Sequence, residues 1–332
     1  VGATQAKLLD HAILVWLPIF NVDGHENSNP YNRINQNGPD AMGFRATAQN
    51  LNLNRDYVKA DAPEMRDWLK MFDAWLPDLF MDIHTTDGAD YQYDLTWYME
   101  EWGPLNPAVK AWQDTAFKQS IFPAFDRMGH MQAPYLDLVD HRDITRGIAN
   151  FGSGPRFSTG YVALRNRAAL LVEPPMLTSY EVRVRATYDL VVATLAYVNA
   201  HAGTLREAVT RADAETIAHA SGRALPLLFK TTDTPVTFTL KGYAFSHETS
   251  AISGDTWVTY DPHTPKTYEI PSYRDLVATE SVRLPAAYAI PPQWTDVIDK
   301  LAEHGIRTER LAHAASGDAE RDELTKPVWA DK

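Results

Sequence analysis

The sequence predicts an α/β fold: a mostly parallel or mixed central sheet with helices on both faces, followed by a small β-rich unit. Three observations carry that expectation. Short apolar runs without alternation recur ("HAILVWLPIF", "DLFMDIH", "AALLVE"), as expected of strands buried on both faces. Segments with helical spacing lie between them. Beyond about residue 203 the texture changes to alternating stretches separated by turn residues.

Each element follows in order. The run at residues 11–20 has strand length and stops at the turn-like "NVDG". Residues 25–50, rich in Asn, Gly and Pro, read as a long loop, and loops of that length in compact domains are usually functional or disordered. "DAPEMRDWLKMFDAWL" reads as a helix with Asp61 as N-cap and Pro63 in its first turn. "DLFMDIH" reads as a second buried strand, ending at "TTDG", and "NPAVKAWQDTAFKQSIFPAF" as a helix. Residues 130–160 read as irregular, "AALLVE" as a third buried strand, and "SYEVRVRATYDLVVATLAYVNA" as a long amphipathic helix. A polar helix, "TLREAVTRADAETIAHA", leads into "PVTFTLKGYAFSHE", "TWVTYDPHT" and "KTYEI", which read as a small antiparallel unit. A last helix, "QWTDVIDKLAEHGI", precedes a polar tail from about residue 314.

The 332 residues carry a formal charge of −12, which argues against nucleic acid or an anionic membrane surface as the partner. No apolar run approaches the roughly 20 residues needed to span a bilayer. Cysteine is absent, which excludes disulfides, thiolate catalysis and Cys-ligated metals. A metal here must be held by His and carboxylate ligands. The opening has no Met, no basic segment and no cleavage pattern, and looks like the end of a helix feeding a strand. It predicts that further chain precedes it. The location is left open, with a secreted or periplasmic setting preferred.

In open α/β sheets functional groups collect where strands end. Three strand ends stand out: Asn21–Gly24, His84–Gly88 and Glu173. Between the first two lie Arg45 and the stretch "NLNLNRDY", whose three asparagines favour neither helix nor strand. An imidazole, a carboxylate, two arginines and several amides could share one mouth, a mixture suited to a polarised carbonyl and an anionic substrate.

The order "NVDG", "GFRATAQNLNLNRDY", "DIHTTDG", a Tyr-bearing loop and "LLVE" is similar to the zinc carboxypeptidase family, over roughly residues 1–200. The resemblance implies a carboxypeptidase-like α/β catalytic domain over residues 1–204, N-terminally incomplete, and an accessory β-rich domain over 205–332. It implies that His84 is a zinc ligand; the plain alternative is a packed core imidazole. It implies that Glu173 is the general base that activates a metal-bound water, against a capping or ion-paired carboxylate. Arg45 looks like the arginine that holds the oxyanion, with Arg33 in the same loop as a rival. Asn54 and Arg55 look like the pair that grips a terminal carboxylate, since a guanidinium can bind one bidentately. Asn50 and Asn52 are equally well explained as turn residues. Tyr161 is left between the tyrosine that closes over substrate and plain packing. Arg165 is left between a pocket and a surface ion pair, and Arg167 is expected at the surface.

One departure bears on the chemistry. The family's first two zinc ligands come from His-x-x-Glu, and no such motif occurs in this sequence. The remaining Zn2+ ligands are therefore expected upstream. The leading expectation is a zinc-dependent carboxypeptidase acting on peptides with a free C-terminal carboxylate. Two alternatives remain: a peptidase acting on cell-wall peptides, and a carboxylate-binding protein without catalysis on the same scaffold.

Overall fold

The structure is a computed structural model that describes residues 3–313 except 87, 104 and 151, together with 316, 319 and 320. The expected polar tail lies largely outside the described residues.

The central sheet has four strands: β1 (Leu79–Ile83), β2 (Leu95–Met99), β3 (Gln132–Pro134) and β5 (Ala168–Glu173), in the order β1-β5-β2-β3. β1 runs parallel to β5 and β2 parallel to β3, whereas β2 and β5 are antiparallel. The fold is therefore α/β with a mixed sheet. Alternation along β5 explains its apolar run from Ala168 to Val172. Leu170 and Val172 join one buried cluster, while Ala169 joins another on the opposite face.

Helices cover both faces. α2 (Pro63–Trp75) and α5 (Ser158–Leu164) bury Trp68, Leu69, Phe72, Tyr161 and Val162 on one side. α3 (Pro107–Trp112), a π-helical turn (Gln113–Phe117), α4 (Lys118–Arg127) and α6 (Tyr180–Ala218) bury Trp112, Phe117, Phe125 and Leu190 on the other. Each such side chain contributes about 1.5–3 kcal/mol of burial. Pro63 occupies the first turn of α2 as expected, but its N-cap is Ala62, not Asp61. Asp56 holds the chain that enters the helix, accepting from the backbone N–H groups of Asp61 and Ala62 at 3.1 and 2.9 Å.

The expected first strand is not formed. Residues 11–20 make no ladder with the sheet and expose Ile13 (80%) and Trp16 (58%). Pro18 removes a ladder donor from the middle of the run. β1 is consequently the edge strand, only half-buried. A short helix, α1 (Val22–Glu26), follows the run.

Beyond the sheet, α6 runs through the expected boundary at residue 204, with a non-helical residue at His201. β7 (Val236–Thr249) pairs antiparallel with β8 (Thr256–Tyr273), and β8 also pairs with β4 (Ile148–Ala149). β6 (Ala224–Thr231) pairs with β9 (Leu276–Arg283). Leu240 and Ile270 of the late strands share a buried cluster with Tyr91, Leu136 and Ile144. α7 (Thr295–Glu303) returns to α2, where Glu303 pairs with Arg66 at 3.2 Å.

Candidate active site

The site begins at the ends of β1 and β5. The last paired residues are Ile83 and Val172, and the ladder continues one step as the backbone N–H of His84 donates to the Val172 carbonyl at 2.8 Å. His84 and Glu173 thus emerge side by side from neighbouring strands. Their Nδ1 and Oε1 atoms lie 4.0 Å apart. On the other side of β5, the Thr96 hydroxyl donates to the Glu173 carbonyl at 2.9 Å and fixes that strand end.

Asp82 completes the arrangement. Residues two apart on a strand share a face, and Asp82 Oδ2 lies 2.9 Å from His84 Nε2. The hydroxyls of Ser158 and Tyr57 also bond Asp82. Burial pushes the Asp82 carboxyl up, but His84 and these hydroxyls hold it below the usual carboxylate range. For His84, burial works against the charged form; Asp82 and then Glu173 outweigh it, with Arg45 opposing, and the imidazole is pushed up to about 9. A charged imidazole between two carboxylates is the result at neutral pH.

Arg45 is placed by the turn after residue 20. Asn21 caps α1, accepting from the Gly24 N–H at 2.9 Å, and its amide donates to the carbonyls of Phe44 and Arg45 at 3.3 and 3.1 Å. Asp23 accepts from the Ala48 N–H at 2.8 Å. "NVDG" is therefore a clasp for the loop that carries Arg45. Gly24 is required there, because a Cβ would stand 2.2 Å from the Phe44 carbonyl oxygen.

These groups open on a cavity of about 870 Å³, whose wall includes Arg45, Arg33, Asn54, Tyr57, Asp82 and His84. The size suits a ligand of several heavy-atom groups. Asn50 adopts a left-handed backbone (φ 60°), and Asn52 caps the short 3₁₀ turn Leu53–Arg55 by accepting from the Asn54 N–H at 3.1 Å. Both are turn residues. Asn54 reaches the cavity wall; the Arg55 guanidinium lies 4.6 Å over the Phe157 ring and donates to the Asn54 carbonyl.

Of three further residues, two take one of the readings left open and the third is corrected. Tyr161 is a buried ring on α5, packed about 6 Å from Tyr57, Trp68 and Phe72, with its hydroxyl 2.9 Å from His304 Nδ1. A ring locked in a core cannot swing over a ligand. Arg165 pairs with Asp73 at 2.7 Å, beside the Tyr161 hydroxyl. Arg167 is not at the surface: it is 3% exposed and grips Asp213 of α6 with both Nη atoms at 3.0 Å.

Among the described residues, no group of three or more His, Asp or Glu side chains could hold a metal ion. A catalytic zinc takes three protein ligands, so the described residues do not by themselves complete a zinc site. Two charged residues in the wall were not anticipated, Asp82 and Arg183. The alternation in "MDIH" puts Asp82 on the face of His84, and that signal was present in the sequence. Comparison of the chain with protein-family models, with curated proteins and with solved structures returned no match.

Proposed function

We propose that this chain handles peptides bearing a free C-terminal carboxylate and belongs to a hydrolase of the carboxypeptidase type. The observation that supports this reading most is the approach of His84 and Glu173, 89 residues apart in sequence, to 4.0 Å beside a cavity that Arg45 also lines. In this reading Glu173 takes the proton of the attacking water and passes it to the leaving amine. Arg45, whose charge is felt at His84, faces the anionic oxygen of the tetrahedral intermediate. Asn54 supplies an uncharged donor to the terminal carboxylate. The zinc implied by the resemblance needs about two protein ligands beyond His84, which the described residues do not supply.

One observation favours a second reading. His84 is flanked by Asp82 and Glu173 and held in its charged form, which suits a carboxylate-binding protein without turnover. Metal analysis, combined with hydrolysis of blocked dipeptides by the wild type and Glu173→Gln, separates the two. The peptidase reading expects zinc-dependent turnover that falls by at least about 100-fold in Glu173→Gln, with ligand affinity retained. Unchanged turnover removes Glu173 from the mechanism. Ligand binding with no turnover by zinc-supplemented wild type selects the binder.

A further inference from the structure

α6 forms part of the cavity wall, and there Arg183 stands in an environment that disfavours its charge. The residue is 5% exposed. Its Nη2 donates to the carbonyl oxygens of Asn37 and Gly38 at 2.7 and 2.6 Å, pinning the long loop to the helix. Its Nε is buried without a hydrogen-bond partner. Among the described residues no carboxylate pairs with it: Glu181, the acid of the same helical turn, is taken by Arg185 at 3.0 Å. Arg183 also sits in the first turn of a 39-residue element capped by Ser179, where the helix dipole opposes a cation. Burial pulls its guanidinium below its ordinary range, with only the Tyr180 side chain acting the other way.

A buried guanidinium without a counter-ion is costly unless an anion completes it. The surroundings also say which anion. Two carbonyl oxygens already crowd one edge of the guanidinium, so a single-charged carboxylate fits better than a doubly charged phosphate. We propose that Arg183 forms an acidic-side-chain subsite in this cavity, so that the preferred ligands are peptides carrying Glu or Asp at or beside the C-terminal residue. The proposal rests on the peptide reading above. It goes beyond that reading by naming the substrate class, since the terminal carboxylate is held at Asn54 and the second carboxylate at α6.

The test compares N-acetyl-Ala-Glu with N-acetyl-Ala-Gln by calorimetry. The two share the terminal carboxylate and differ only in side-chain charge. Wild-type protein is expected to bind the Glu peptide at least about tenfold more tightly, as one charge-assisted pair provides. Arg183→Met is expected to erase that preference, so that the two peptides bind alike whatever their common affinity, and Arg183→Lys to restore part of it. Equal wild-type affinity for the two peptides overturns the subsite, whether or not Arg183→Met folds. A Glu preference that persists in a folded Arg183→Met also overturns it. A wild-type Glu preference lost in Arg183→Met but unaccompanied by hydrolysis supports the subsite and removes only the catalytic reading. Failure of both peptides to bind overturns both.

Discussion

His84 is charged because of where it stands, not because of what it is. Burial alone would push its proton off; Asp82 at 2.9 Å and Glu173 at 4.0 Å hold it on, against Arg45. Its folded value of about 9 lies above the ordinary 6.5. Its contribution to stability is therefore fully present below pH 6.5 and is lost as pH rises through about 9. Asp82→Asn removes the nearer charge, and the imidazole titration, followed by NMR of the ring protons, is expected to fall by at least about one pH unit. An unmoved titration would assign the shift to Glu173 alone. Several of these residues were legible in the sequence: His84, Arg45 and Asn54, which line one cavity, and Glu173, which lies 4.0 Å from His84, were singled out. For Tyr161 the packing alternative holds, because a motif fixes backbone position but not the direction a side chain takes. Arg183 was overlooked, although a cation in the first turn of a long helix is an anomaly a sequence can show.

The elements best read from sequence were those with strong internal signals. β5 is apolar on both faces, α2 has Pro63 at its start, and α6 keeps helical spacing over many turns. Residues 11–20 were misread because a continuous apolar run states a preference for burial without naming a partner, and the sheet edge beside it is left unpaired by that run. β2 was missed because the Tyr- and Asp-rich sequence before it resembles loop. The clasp around α1 is the element on which the site depends most. Gly24→Ala would drive a methyl group to 2.2 Å from the Phe44 carbonyl. We expect it to cost about 1–3 kcal/mol in urea unfolding and to weaken carboxylate binding through displacement of Arg45. A variant with unchanged stability and affinity would show that the loop is not held by this turn.

At the scale of the molecule, the late strands are not appended to the α/β sheet as an independent body. Leu240 of β7 is completely buried in the cluster that includes Tyr91, Leu136 and Ile144, and β4 pairs directly with β8. The sequence suggested a boundary at residue 204 because composition changes there; α6 spans that position with a break at His201. Composition reports which residues occur; it does not report which surfaces they cover. Leu240→Ala is expected to cost about 2–5 kcal/mol, and, because the cluster spans both parts, to shift a single unfolding transition seen alike by far-ultraviolet circular dichroism and tryptophan fluorescence. Two separated transitions would show that the parts unfold independently.

The neighbouring strand ends that carry His84 and Glu173 have one more consequence. Their separation is inherited from the rung spacing of a parallel ladder, which loop fluctuations cannot easily stretch. Arg45, Asn54 and the carbonyls under Arg183 hang instead on residues 27–54, outside any ladder of the sheet. Substitutions there can retune which ligands are welcomed while the imidazole–carboxylate distance stays as it was, so diversification of taste and preservation of chemistry are assigned to different parts of the backbone.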